Sequence, residues 1–209
     1  MRTLLESSSH MVEHEGKHRP TYHVLKVFGS VRNVSRSGMT SAKAMNYLES
    51  LTWVTLYFQA IVMLGSNDYP RSFDEDSGVL AEKTFRYLLQ IAAFTKRRVV
   101  GRVFIALPPP RPCNETWPTY HLYVKELHRL LKSHNFQSDD IVYAGFSPLL
   151  YDAAFKPRPG VLFKKESGQL DIHLSQTGYI FLNRWLSDVV TGGRSKPRST
   201  QRRPKKAKV

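Results

Sequence analysis

The run Ile61 to Leu64 (IVML) limits the fold more than any other part of the chain. β-branched and large apolar residues follow one another there without polar alternation, the pattern of a strand buried on both faces. Such strands belong to parallel sheets covered by helices. The run ends in Gly65-Ser66-Asn67-Asp68, so a glycine turns the chain and two polar side chains stand just past the strand's carboxyl end. In open α/β sheets ligands bind at that edge. Read alone, Asn-Asp is better read as an ordinary turn opening.

The rest of the chain alternates strands with helices. Arg2 to Glu6 reads as a short first strand and His23 to Phe28 as a strand near a sheet edge. Ser41 to Leu51 holds helix formers after a Gly-Met-Thr turn, and a helix is expected from about Val79 to Arg98. Its apolar stripe is Leu80, Thr84, Leu88 and Ile91, with basic Lys96, Arg97 and Arg98 at its carboxyl end. Gly101 opens a strand over Arg102 to Leu107, which Pro108 to Pro110 stop. Thr116 is the expected cap of a helix from Trp117 to about His134, with Pro118 in its first turn. Ile141 to Ala144 is a further short strand, a proline-bearing loop follows, and a last helix runs from near Ser175 to Val190. This order predicts an α/β fold: a three-layer, doubly wound, flavodoxin-like sheet of about five parallel strands.

Charge divides the chain in two. The formal net charge is +14, and residues 194–209 hold eight Lys or Arg and no acid. The other 193 residues carry 23 basic and 17 acidic side chains, a net +6. The expected organisation is therefore a folded domain over 1–193 and a disordered basic tail over 194–209. The tail cations Arg194, Lys196, Arg198, Arg202, Arg203, Lys205, Lys206 and Lys208 are candidates for sequence-independent contact with a nucleic-acid backbone. Its ending, RRPKKAKV, has the composition of a nuclear-localisation signal. No apolar run is long enough to span a membrane, and Met1 to Ser9 is too short for a signal peptide. The single cysteine, Cys113, excludes an internal disulfide and fits a reducing compartment. An intracellular protein, cytoplasmic or nuclear, is expected, with no metal and no cofactor.

Three loops that follow strands carry the candidate chemistry: SRSGMT (35–40), LGSNDYPR (64–71) and DIHLSQTGY (171–179). Together they resemble the SGNH (GDSL-type) hydrolases, whose four blocks supply a serine, a glycine, an asparagine and a histidine. LGSNDYPR is similar to the Gly-x-Asn-Asp block, DIHLSQTGY to the Asp-x-x-His block and SRSGMT to the glycine block. The resemblance spans about residues 3 to 190. Two positions depart from it. Ser7-Ser8-Ser9 stands where the family has Gly-Asp-Ser, and Leu170 stands where the family has its aspartate, Asp171 being one residue closer to the histidine.

The resemblance implies the SGNH hydrolase fold and an esterase or deacetylase working through an acyl-serine intermediate. Ser9 would be the nucleophile, His173 its base and Asp171 the acid that orients the base. The oxyanion donors would be the Ser9 N–H, the Gly38 N–H and the Asn67 amide, with a small ester or acetylated compound as substrate. Asp68 would accept backbone hydrogen bonds and hold its loop. Related esterase-like domains imply a second reading. The carboxy-terminal domain of Oskar has this fold without its active site and binds RNA, and others lie beside RNA-binding segments in retrotransposon reading frames. The altered first block and the positive charge suit a non-catalytic domain of that kind, and on the residues alone Ser9 is as well read as a turn serine. Oligomeric state has no signature in the sequence.

Overall fold

The structure is a computed structural model that describes residues 2–7, 30–34, 38–53, 56–70, 76–136 and 138–192. The expected strand over His23 to Phe28, the Ser9 position and the basic tail lie outside the described residues.

The first strand, β1 (Arg2–Ser7), lies between β2 (Ser30–Asn33) and β3 (Gln59–Met63), and β4 (Val103–Ala106) and β5 (Ile141–Gly145) continue the sheet in the order β2-β1-β3-β4-β5. All four pairings are parallel. This is the flavodoxin-like, doubly wound order, and strand order reverses between β1 and β3, the switch point where such sheets bind ligands. Every residue of β3 and β4 is buried, as strands without polar alternation require.

Among the described residues, three helices connect the strands. The helix α1 (Ser41–Ser50) joins β2 to β3, α2 (Ser77–Lys96) joins β3 to β4, and α3 (Tyr120–Ser133) joins β4 to β5. All three crossovers run in one direction across the sheet, so right-handed connections set the helices side by side, α1 on α2 and α2 on α3. Leu80, Thr84, Leu88 and Ile91, the expected stripe of α2, are all buried. Asp76 starts that helix by accepting the Gly78 and Val79 N–H groups at 2.7 and 3.2 Å.

Two expectations are corrected. The third helix begins at Tyr120 with Thr119 at its cap position, rather than at Trp117 after Thr116. Residues 117–119 are spent in a turn closed by Asn114, whose Oδ1 accepts the Thr116 and Trp117 N–H groups, while the Thr119 hydroxyl lies 2.5 Å from Tyr69 Oη. The region read as a proline-bearing loop contains an antiparallel hairpin, β6 (Leu162–Lys164) with β7 (Leu170–Leu174). The final helix α4 (Gln176–Thr191) follows it and packs on β7. His173 therefore lies on a strand and not in a loop.

Candidate active site

The Gly65–Asp68 turn leaves β3 at the carboxyl edge of the sheet. Gly65 takes φ +120°, and a Cβ there would lie 3.1 Å from the Tyr123 hydroxyl. That hydroxyl lies 2.9 Å from the Gly65 carbonyl oxygen and 3.0 Å from Thr84 Oγ1. It thereby ties the turn to α3 and α2.

Beyond the turn, Asn67 and Asp68 both reach the β2–α1 connection. Asn67 Nδ2 donates to the Met39 carbonyl at 3.1 Å. Both carboxylate oxygens of Asp68 accept the Ser41 N–H at 3.0 Å, and the Ser41 hydroxyl also donates to Oδ1. Ser41 N–H is one of the unpaired donors at the start of α1, so Asp68 supplements the Thr40 cap, whose hydroxyl accepts from Lys43 N–H. Burial pushes the Asp68 carboxyl above its ordinary value, and the Ser41 bonds oppose that rise. The aspartate thus holds its loop, as its place in the sequence suggested. Gly38 adopts φ +68°, and a Cβ there would meet nothing within 4 Å among the described residues. The glycine is demanded by the left-handed backbone rather than by crowding.

A residue that the sequence did not single out completes this group. Arg111 follows the Pro108–Pro110 run in the segment leaving β4, is only 5% exposed, and donates from Nη2 to Asn67 Oδ1 at 2.7 Å. Its guanidinium stands 5.3 Å from the Trp117 ring centre and 5.7 Å from that of Tyr120. Nothing in the sequence marks a buried arginine, because arginines are mostly surface residues; the only signal is its place directly after three prolines beyond a strand end.

The second group is on β7. Asp171 Oδ1 lies 2.6 Å from His173 Nδ1 and also accepts the His173 backbone N–H at 3.0 Å. A strand sends residues i and i+2 to the same face, about 6.6 Å apart along the chain, so a spacing of two suffices here. Burial pushes Asp171 up, but the His173 N–H, the imidazole and the Lys165 ammonium together hold it below the usual carboxylate value. Lys165 Nζ is 3.4 Å from Oδ2. The His173 side chain is 37% exposed.

The two groups are linked through the loops after β4 and β5. The Tyr151 hydroxyl donates to the Pro108 carbonyl, Arg158 Nε to the Tyr151 carbonyl, and Val161 N–H to the Arg158 carbonyl. Ser175 N–H then donates to the Val161 carbonyl, two residues past His173. β1 ends at Ser7, paired with Met63. Ser9 is thus two residues in sequence beyond the strand end that borders the Gly65–Asp68 turn.

Cys113 has an imidazole beside it: His121 Nδ1 lies 3.8 Å from its Sγ. Burial raises the thiol and lowers the imidazole, so a neutral thiol faces a neutral ring, not a thiolate nucleophile. Among the described residues no group of three or more His, Cys, Asp or Glu could hold a metal ion, and no helix is long and apolar enough to cross a membrane.

No family model matches the chain, and no curated protein matches it by sequence. Solved structures do match. A lipase/acylhydrolase from Enterococcus faecalis superposes with TM-score 0.61 at 17% identity over 91% of this chain and 95% of its own. An acetylxylan esterase from Geobacillus stearothermophilus gives 0.56 at 19% identity, over 90% of this chain and 93% of its own. A GDSL-like lipase from Bacteroides thetaiotaomicron gives 0.61 at 13% identity, over 91% and 88%. The chain has the SGNH hydrolase fold.

Proposed function

We propose that this chain hydrolyses small carboxylic esters or acetylated compounds through an acyl-serine intermediate. The observation that carries the reading is the 2.6 Å contact between Asp171 and His173 Nδ1, because it supports Asp171 as the orienting acid despite the altered spacing. Asp171, held below the usual carboxylate value, accepts from Nδ1–H, and the base is then Nε2. Ser9 Oγ attacks the acyl carbon as its proton passes to Nε2. The oxyanion that forms meets the Ser9 and Gly38 N–H groups and the Asn67 amide. On collapse the imidazolium returns its proton to the departing alkoxide. Water, activated by the same nitrogen, then releases the acid and regenerates Ser9. The acylhydrolase and acetylxylan esterase neighbours support that substrate class. Hydrolysis of short-chain p-nitrophenyl esters, compared with Ser9→Ala and His173→Ala, tests it: both variants should lose turnover by about 1,000-fold or more. Turnover unchanged by either substitution would overturn it.

The alternative, a non-catalytic domain that binds nucleic acid, rests on Ser7-Ser8-Ser9 in place of the Gly-Asp-Ser block and on the positive charge of the chain. RNA binding that is salt-sensitive and survives deletion of residues 194–209 would favour it. Binding lost with the tail would report cationic charge alone.

A further inference from the structure

Arg111 does more in this site than fill space. Its backbone is fixed on the amino-terminal side. Prolines 108–110 lock φ and lack N–H groups, and their carbonyls are held by buried tyrosines, Pro108 by the Tyr151 hydroxyl at 2.6 Å and Pro109 by the Tyr120 hydroxyl at 3.1 Å. Burial raises Tyr120 to about 12 and Tyr151 well above its ordinary value, so both keep the proton they donate. The side chain is held as firmly, beside the Trp117 and Tyr120 rings. This arrangement aims a donor-only group at one end of Asn67.

An asparagine amide can turn over and exchange its donor and acceptor ends. Here the guanidinium, which cannot accept, faces Oδ1 at 2.7 Å, while the Met39 carbonyl, which cannot donate, faces Nδ2 at 3.1 Å. Only one orientation satisfies both. Met39 takes one of the two Nδ2 hydrogens, and the other is the donor that an oxyanion would meet. A cation on the carbonyl end also draws electron density toward Oδ1 and strengthens that donor.

We propose that Arg111 is a positioning residue, which acts through Asn67 by locking its amide with Nδ2 turned outward as the oxyanion donor. The proposal rests on the reading of Asn67 as that donor. A residue that acts only through Asn67 should have no effect once Asn67 is gone, whereas a merely structural residue should cost the same in either background.

The experiment is a double-mutant cycle on p-nitrophenyl acetate with Arg111→Met, Asn67→Ala and both together. Arg111→Met should lower kcat about 100-fold with KM changed less than about threefold, and should cost less than about threefold more in the Asn67→Ala background. Equal losses in both backgrounds, or an unchanged kcat, would overturn the proposal. A second readout needs no turnover: the side-chain amide resonances of Asn67, assigned in ¹⁵N-labelled protein. Arg111→Met should shift or broaden that pair, and a pair left unmoved would overturn the locking role. If the parent chain hydrolyses no ester, the esterase reading falls, and the resonances alone decide for or against the lock. If Arg111→Met fails to fold, Arg111→Lys, which keeps the charge without the planar fork, is put through the same two readouts.

Discussion

Replacing Gly178 by alanine sets two effects of opposite sign against each other. Gly178 is the third residue of α4, and its N–H donates to Ser175 Oγ at 3.1 Å. Within a helix, glycine to alanine ordinarily stabilises by about 1 kcal/mol. At this position an added Cβ would lie 2.2 Å from the Val161 carbonyl oxygen and 3.1 Å from Leu174 Cβ. That is about 0.8 Å inside the closest approach such atoms show, and neither neighbour can turn aside, since one is backbone and both residues are buried. Overpacking of this kind costs about 1–3 kcal/mol. The same Val161 oxygen accepts the Ser175 N–H at 2.8 Å, and weakening that bond adds about 1 kcal/mol. The packing loss exceeds the helix gain. Gly178→Ala should therefore destabilise by about 2 kcal/mol, which lowers Tm by about 4–8 °C in a chain of this size. Urea titration beside a thermal melt reads both quantities. A variant as stable as the parent, or more so, would show that helix propensity decides and that the contact between α4 and the hairpin is looser than described.

The remaining expectations concern the supports of the two groups. Tyr123→Phe leaves the Gly65 carbonyl and Thr84 without their shared buried hydroxyl and should cost about 1–3 kcal/mol by urea titration; a loss under about 0.5 kcal/mol would contradict the anchoring of the turn. Asp171 has its folded value below the ordinary carboxylate value of 3.8, so its contribution to stability is present above that value and is lost as pH falls through the folded one. The stability difference between the parent and Asp171→Asn should thus shrink between about pH 6 and pH 2. Urea midpoints across that range check it, and a difference that grows toward acid would reverse the sign of the argument.

Strands β3 and β4 were legible in the sequence because buried parallel strands leave a plain trace, whereas β2 (Ser30–Asn33), with Val31 its one apolar residue, was not. IVML and VFIA show no alternation, and each strand ends at a glycine or a proline. The stripe of α2 was legible for the same reason, since one side of the helix must be apolar to pack. The β6–β7 hairpin left no such trace. Its strands are short and mostly half-buried or exposed, with Lys164, Lys165, Glu166 and Gln169 in and around the turn, so no hydrophobic period betrays them. Without the hairpin, the position of Asp171 looked like a fault in spacing; as part of a strand it faces the same side as His173. The start of α3 was misplaced because Thr116, Trp117 and Pro118 satisfy local capping preferences, while a local turn closed by Asn114 and the contact of Thr119 with Tyr69 take their place. Arg111 was invisible for a different reason: what makes it part of the site is a partner 44 residues away, Asn67.

The central proposal is that His173 activates Ser9, two residues past β1 in sequence, and covalent trapping tests it most directly. The purified chain would be treated with a p-nitrophenyl alkylphosphonate, which phosphonylates an activated serine, and the adduct located by peptide mass spectrometry. The account expects one adduct, on Ser9, absent from Ser9→Ala and formed at least about 100-fold more slowly in His173→Ala. No adduct, an adduct on another residue, or labelling of Ser9 at the same rate without His173 would contradict it.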